Sequence, residues 1–203
     1  MTDTKPKKKH RMSLEDKNGQ RKYLTPAERE QFLKAAESFP REERTFCEVL
    51  AYTGCRISEA LALTAERVDL AEGTIRLETL KKREKGVFRT VPLPPHVLDT
   101  LNLVHNLRQA KKRPDRGRGH LLWDWSRAKG WYVVKNVMTA AGITHGAHAC
   151  PKGLRHGYGI KAVSSGVPLN TLQDVLGHAQ LSTTSIYADA MGPEKRKLIE
   201  RMW

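Results

Sequence analysis

Most of the chain alternates hydrophobic and polar positions with the 3.6-residue period of an α-helix. A first helix should begin at Pro26, because Thr25 can cap it and Glu28 completes a capping box. Further segments follow the same period, with Gly54, Pro94-Pro95 and the capping residue Ser126 among their boundaries. They are FCEVLAYTG, ISEALAL, the stretch from Pro95 to about Gln109, RAKGWYVVKNVMTAAG, GLRHGYGIKAVSSG, PLNTLQDVLG, LSTTSIYADA and PEKRKLIERMW.

The period changes to two in the middle of the chain. Residues 74–80 (TIRLETL) alternate as a strand does, and FRTVPLP is the expected partner across the basic turn KKREKG. The pattern therefore predicts a mainly α fold with a small antiparallel β-sheet (α+β). At 203 residues, the chain can form one good core but not two large domains. Residues 1–22 are polar, basic and without apolar periodicity, so we expect a basic flexible arm followed by one domain over residues 23–203.

Charge is the most informative feature of the composition. Lys and Arg number 36 against 22 Asp and Glu, which leaves a formal net charge of +14. Such an excess favours a polyanionic partner, and nucleic acid fits better than a membrane because the basic residues are spread along the chain. No apolar run approaches the roughly 20 residues that span a bilayer, and the N-terminus lacks the apolar stretch of a secretory signal.

The three cysteines have no paired spacing, so the sequence predicts neither a disulfide framework nor a cysteine-based zinc site. A reducing, cytoplasmic compartment is the expected location.

Four stretches place cationic or nucleophilic groups at a helix start or a turn. Arg56 begins the helix in TGCRISEAL, where free backbone N–H groups also suit a phosphate. The basic turn carries Lys81 and Lys82, and KGLRH places Lys152 and Arg155 three residues apart on one helix face.

In the fourth stretch, LGHAQLSTTSIYADA, His178 follows Gly177 at the end of one helix, and Tyr187 lies in the next. Taken singly, each candidate has an ordinary explanation. Arg56 could be a surface residue or a partner for Glu59, the turn a solvated hairpin tip, and Tyr187 a core residue.

In this order, the stretches resemble the catalytic domain of the tyrosine recombinases, also called the phage integrase family. The family pattern T-G-x-R-x-x-E-x-x-x-L matches residues 53–63, and R-x-V-P-L at the end of a β-hairpin matches residues 89–93. H-x-L-R-H corresponds to KGLRH, and LGHAQLSTTSIY, which ends at Tyr187, is the most specific segment. The resemblance extends from about Tyr23 to Met191.

The resemblance implies a role for each matched residue. Tyr187 would attack a backbone phosphate to give a 3′-phosphotyrosyl link, while the planar guanidinium groups of Arg56 and Arg155 hold its oxygens. His178 would hydrogen-bond the same phosphate and help to deprotonate the tyrosine. A hairpin lysine would protonate the leaving 5′-hydroxyl. Lys81 is the first choice, because in the family this lysine closes the first strand just before the turn, and Lys82 is the alternative. Strand alternation sends the two to opposite faces, so only one of them can reach the phosphate. No metal and no cofactor are expected.

Two features depart from the family pattern. Lys152 stands where the family usually has His; it would support the phosphate as a cation but would be a poor base at neutral pH. Most members also carry an N-terminal core-binding domain that closes over the far side of the DNA, and here only the basic arm precedes the catalytic domain. The protein therefore either works with half the usual clamp or is a fragment.

The leading hypothesis is a site-specific DNA recombinase that integrates, excises or resolves a mobile element. A topoisomerase-like nicking and closing activity and a non-catalytic DNA-binding regulator with the same fold are the alternatives. The expected partners are double-stranded DNA, further copies of the chain in a dimer or tetramer on DNA, and accessory DNA-bending proteins. The expected place is the nucleoid in the cytoplasm of a prokaryotic cell. The tail helix over residues 194–203 either packs on its own domain or docks on a neighbouring subunit.

Overall fold

The computed structural model describes residues 13–80, 86–112, 119–189 and 200. Over these residues the fold is mainly helical with one small antiparallel sheet, as the sequence pattern predicts. The helices are α1 (Pro26–Ala36), α2 (Arg41–Thr53), α3 (Ile57–Leu61), α4 (Pro95–His105), α5 (Leu107–Ala110), α6 (Arg127–Ala140), α7 (Pro151–Ser164), α8 (Leu169–Leu176), α9 (Leu181–Thr184) and α10 (Ile186–Asp189). The strands are β1 (Val68–Asp69), β2 (Thr74–Glu78) and β3 (Phe88–Pro92), and a 3-10 helix (Ala65–Arg67) precedes them.

The ends of α1 and α2 follow from local chemistry. The Thr25 hydroxyl accepts from the Glu28 N–H at 3.2 Å, and the Glu28 carboxylate accepts from the Thr25 N–H at 2.9 Å. This reciprocal capping box is the predicted start of α1. Helix α2 ends at Gly54, which adopts the left-handed conformation (φ +61°) that glycine tolerates best. Helix α2 is central, because α1, α4, α6 and α7 all pack against it.

The sheet has the order β1-β2-β3, and both pairings are antiparallel. Ile75 of β2 lies opposite Val91 of β3, and both are buried in the main core together with Leu77. The predicted hairpin is therefore confirmed in its strands. Strand β1 was not predicted, because two residues are too few to show an alternating pattern.

Two predicted helices are each interrupted once. The helix predicted from Pro95 to about Gln109 breaks at Asn106, which adopts a left-handed conformation (φ +49°) between α4 and α5. Asparagine tolerates this conformation because its short side chain can bond to nearby backbone. LSTTSIYADA breaks at Ser185, whose hydroxyl donates to the Ser182 carbonyl and competes with the helical ladder. Tyr187 therefore lies in the separate short helix α10.

The segment before α1 packs on the domain from residue 13 onward. Leu14 is buried in a second apolar cluster that also contains Tyr187. The Lys22 N–H donates to the Leu14 carbonyl, and Arg21 forms an ion pair with Glu28. Packed structure thus begins before Tyr23, where the sequence pattern places the start of the domain. Residues 1–12, which complete the predicted arm, lie outside the described residues, as do Lys81, Lys82 and the predicted tail helix apart from residue 200.

Helix α7 passes so close to the loop before it that a side chain at Gly153 has no room. A Cβ there would lie 1.9 Å from the His148 carbonyl oxygen. We therefore expect Gly153→Ala to lower the free energy of unfolding by at least about 3 kcal/mol, the upper end of the usual cost of overpacking. Urea denaturation measures this change.

The control is Gly130→Ala in α6, whose Cβ would meet the Phe46 ring edge at 3.1 Å and the Ile57 side chain at 3.4 Å. A rotatable ring can move where a backbone carbonyl cannot, so the control should lose less than about 1.5 kcal/mol. Equal losses in both variants would contradict the close approach at Gly153.

Candidate active site

Arg155 is a buried cation that two helix ends hold in place. Its Nη1 donates to the Gly54 carbonyl at 2.8 Å, and its Nη2 donates to the Leu176 carbonyl at 2.9 Å. These carbonyls lie at the C-terminal ends of α2 and α8, where the helix dipole is negative. Arg155 is 8% exposed, and burial, followed by the charge of Arg56, lowers its pKa to about 10. Two backbone carbonyls thus orient this guanidinium. No acidic side chain among the described residues forms an ion pair with it.

Arg56 and Arg89 share one buried carboxylate, that of Glu59. Arg56 donates to it from Nη1 at 2.6 Å and from its backbone N–H at 3.0 Å, and Arg89 donates from Nη2 at 2.6 Å. Burial opposes ionisation of Glu59, but Arg89 and Arg56 outweigh it and keep its pKa below the ordinary value. Arg89 is also tied to the Val175 carbonyl at 2.7 Å, which joins the sheet to α8. Two guanidinium groups therefore share one carboxylate, and this group of three side chains has a net positive charge.

His178 is fixed by the turn that ends α8. Gly177 adopts a left-handed conformation (φ +64°), and the His178 N–H then donates to the Gln173 carbonyl at 3.0 Å. The ring Nδ1 lies 2.9 Å from the Thr184 hydroxyl. Burial, followed by the charges of Arg155 and Arg56, lowers the pKa of His178 to about 3. The imidazole is therefore neutral near pH 7, and its Nε2 has no partner among the described side chains and backbone.

Tyr187 packs against this cluster. Its ring lies nearly parallel to that of His178, with 6.3 Å between the centroids and 13° between the planes. Tyr187 is only 1% exposed, and its hydroxyl is hydrogen-bonded to His156 Nδ1 at 3.1 Å. Burial raises the pKa of the phenol, and the charges of Arg155 and Arg56 oppose that rise. The phenol is thus neutral at rest and hidden from solvent.

The structure brings together four of the predicted site residues: Arg56, Arg155, His178 and Tyr187. Lys152 lies in the first turn of α7, exposed to solvent, one turn before Arg155. The two hairpin lysines lie outside the described residues, so their role stays a prediction.

Sequence reasoning missed His156 and Arg89 as members of the cluster. Both were visible within the KGLRH and R-x-V-P-L motifs, but only the tertiary contacts reveal what they touch. The bond between His156 and Tyr187 joins residues 31 positions apart in different helices, so no local pattern could have predicted it.

Chemically, the cluster suits a phosphate better than a metal ion. Two arginines, a neutral imidazole and a tyrosine supply hydrogen-bond donors, positive charge and a nucleophile. Nowhere in the described ranges do three or more His, Cys, Asp or Glu side chains gather as metal ligands would. Across the same ranges, no helix has both the length and the apolar character needed to cross a membrane.

Comparison with known proteins agrees with this chemistry. The sequence profile of the phage integrase family matches residues 22–192. Tyrosine recombinase XerA of Thermococcus kodakarensis is 29% identical over 194 residues, which covers 89% of this chain and 64% of that protein. Tyrosine recombinase XerD of Bifidobacterium longum is 32% identical over 158 residues, or 71% of this chain and 48% of that protein. The chain thus spans about half to two thirds of these curated relatives.

The fold is also found in solved structures. The XerH site-specific recombinase, in a pre-cleavage complex with difH substrate, superposes with a TM-score of 0.70 at 22% identity. The superposition covers 93% of this chain and 59% of XerH.

Proposed function

The chain belongs to the phage integrase family, and on that premise we propose that it cuts and rejoins DNA strands as a site-specific recombinase. The observation that carries this proposal is the arrangement around Arg155. A buried, oriented guanidinium, which has no carboxylate partner among the described residues, lies beside Arg56, a neutral His178 and Tyr187. A phosphodiester supplies the negative charge that this cluster lacks.

In the proposed reaction, one bond to the phosphorus forms and another breaks. The Tyr187 Oη releases its proton to water as it attacks the phosphorus, a 3′-phosphotyrosyl bond forms, and the bond to the 5′-oxygen breaks. Arg56 and Arg155 hold the non-bridging oxygens and offset the charge that develops on them. The neutral His178 donates an N–H to the same phosphate. The leaving 5′-oxygen takes its proton from the hairpin lysine, which we assign to Lys81 with Lys82 as the alternative.

Rejoining is the reverse reaction. A 5′-hydroxyl attacks the phosphotyrosyl bond, and Tyr187 leaves as the phenol. The covalent link conserves the energy of the broken phosphodiester, so no nucleotide is consumed. Lys152, exposed at the start of α7, supports the phosphate as a cation in this scheme, in the place where the family usually has His.

The substrate in this proposal is double-stranded DNA from a mobile element that is integrated, excised or resolved. The net charge of +14 supports a polyanionic partner, and the Tn1549 transposon integrase, which shares the fold, was solved in complex with transposon right end DNA. Because strand exchange needs paired sites, we propose that the chain assembles as a dimer or tetramer on DNA, helped by accessory DNA-bending proteins. Its place of action would be the cytoplasm of a prokaryotic cell, at the nucleoid.

A covalent adduct tests the proposal. Duplexes that the protein binds are first selected from a random pool, and a nicked version of each then traps the cleaved state because the short 5′-hydroxyl fragment diffuses away. We expect the wild-type protein to form an adduct that resists SDS, because the phosphotyrosyl bond is covalent. We expect none from Tyr187→Phe, which lacks the nucleophilic oxygen. Gel electrophoresis of labelled DNA measures both.

The matched control is Tyr132→Phe in α6, which removes the hydroxyl of an exposed tyrosine that is not part of the cluster. This variant should form as much adduct as the wild type. A wild-type protein that binds DNA and forms no adduct would contradict the enzymatic proposal. An adduct from Tyr187→Phe would assign the nucleophile to another residue.

A further inference from the structure

The Tyr187 side chain is buried, and its hydroxyl contacts His156 inside the protein. At 1% exposure, Tyr187 offers almost no surface to a molecule as large as DNA. A nucleophile must come within about 3–3.5 Å of the atom that it attacks. In this arrangement the oxygen that would attack DNA is instead in contact with His156, which is itself 3% exposed.

The direction of this hydrogen bond follows from the need to satisfy the hydroxyl. The phenol is neutral, so it has one O–H donor, and His156 Nδ1 is its one hydrogen-bond partner among the described residues. A protonated Nδ1 would leave that buried donor without an acceptor, which is costly. The satisfied arrangement is an unprotonated Nδ1 that accepts from the Tyr187 Oη. Burial, followed by the charges of Lys152 and Arg155, lowers the pKa of His156 to about 4, in agreement with a neutral ring.

Room for this position comes from a glycine in α7. A Cβ at Gly159 would lie 2.6 Å from Cε1 and Cζ of the Tyr187 ring, far inside van der Waals contact. The ring can therefore rest on the helix only because residue 159 has no side chain. Gly159 and His156 lie three residues apart on α7, so one helix face provides both the space and the hydrogen-bond acceptor.

We propose that His156 is a positioning residue that, with Gly159, holds Tyr187 in a protonated resting position that the tyrosine leaves before it attacks DNA. The effect on DNA cleavage rests on the proposed function, whereas the contact between His156 and Tyr187 does not. Burial lowers the pKa of His156 and raises the pKa of the Tyr187 phenol, so in this position the shared proton stays on Tyr187. The effect of His156 is to increase the fraction of molecules in which Tyr187 is in the resting position.

The test compares single-turnover cleavage of the nicked duplex by two His156 variants. His156→Leu removes the acceptor, and we expect its rate of adduct formation to rise about fivefold, the equivalent of one hydrogen bond of about 1 kcal/mol. His156→Asn places an oxygen near the position of Nδ1 and should stay within about twofold of the wild type. A folded His156→Leu variant that cleaves more slowly than the wild type would overturn the proposal.

Gly159→Ala tests the same position from the helix side. Its Cβ excludes the ring from its resting place, so the cleavage rate should rise as it does in His156→Leu. Gly157→Ala is the matched control, because its Cβ would meet the Leu24 carbonyl at 2.6 Å and not Tyr187. The control should lose stability without faster cleavage. Faster cleavage in both glycine variants would assign the effect to a loosened α7.

A spectroscopic measurement on the free protein separates this proposal from the proposed function. With ¹⁵N-labelled histidine, the Nδ1 of His156 should give the chemical shift of an unprotonated, hydrogen-bonded nitrogen. In Tyr187→Phe that shift should move toward the value for a free unprotonated nitrogen. A protonated Nδ1 in the wild-type protein would refute the resting position, whether or not the protein cleaves DNA.

Discussion

Cleavage by Arg155→Ala is expected to be about a thousandfold slower than cleavage by the wild-type protein, or slower still. Removal of a single oriented donor to a transition-state oxygen typically costs 10²–10³ in rate. Arg155 supplies more than one N–H donor and also a full positive charge. The carbonyls of Gly54 and Leu176 hold its guanidinium plane at a fixed angle. The effect should appear in the rate of adduct formation at saturating DNA, because the lost interaction is strongest while charge builds on the phosphate.

Two further variants show whether the loss of cleavage comes from the position of the Arg155 guanidinium or from its charge alone. Arg155→Lys keeps the charge but loses the planar fork that contacts two carbonyls at once, so its cleavage should fall by at least about a hundredfold. Arg127→Ala removes an exposed cation at the start of α6 and should cleave within about threefold of the wild type. Thermal unfolding should show that the Arg155 variants remain folded. Cleavage by Arg155→Ala within tenfold of the wild type would remove this residue from the phosphate clamp.

Glu59→Ala is expected to have the largest effect on stability, a loss of about 3–5 kcal/mol. Removal of one member of a buried ionic network leaves its partners as uncompensated buried charges. Here the side chain of Glu59 is fully buried, and two cations, Arg56 and Arg89, would lose their shared carboxylate. Arg155 nearby would add to the repulsion. Urea denaturation measures the loss, with Glu72→Ala, an exposed carboxylate, as a control that should change stability by less than about 0.5 kcal/mol.

The ion pairs of Glu59 also determine the direction in which pH changes the free energy of unfolding. Because the folded-state pKa of Glu59 is below the ordinary value, its contribution to stability is complete above about pH 5. That contribution is lost as the pH falls through the folded-state pKa. The difference in unfolding free energy between the wild type and Glu59→Gln should therefore shrink on acidification. An unchanged difference down to pH 3 would contradict a lowered pKa of Glu59 in the folded protein.

The sequence predicts the helix ends that are determined by residues close together in the chain. The capping box at Thr25 and the glycine stop at Gly54 involve neighbours in the chain, and the structure has both where the sequence indicates. The break at Ser185 could not be predicted, because a helical period runs through it without interruption. There a side chain competes with the backbone for a hydrogen bond, and the outcome depends on the packing of α9 and α10.

The candidate site followed from motif order rather than from any single residue. Arg56 and Tyr187 each have an ordinary structural explanation when taken alone. Their occurrence in one order with Arg155 and His178 indicated a phosphate site, and the structure brings these four side chains close enough to interact. The buried state of Tyr187 could not be read from the sequence, because it depends on contacts with a different helix.

The anchoring of Arg155 has a consequence for the nascent chain on the ribosome. Gly54 and Arg155 lie 101 positions apart, and Leu176 follows Arg155 by another 21. Neither the cation nor its carbonyl anchors can be in place until most of the chain has emerged, and Tyr187 emerges later than all of them. A partly synthesised molecule can therefore already carry much of the positive charge, while it still lacks the assembled site that the proposed DNA cleavage needs.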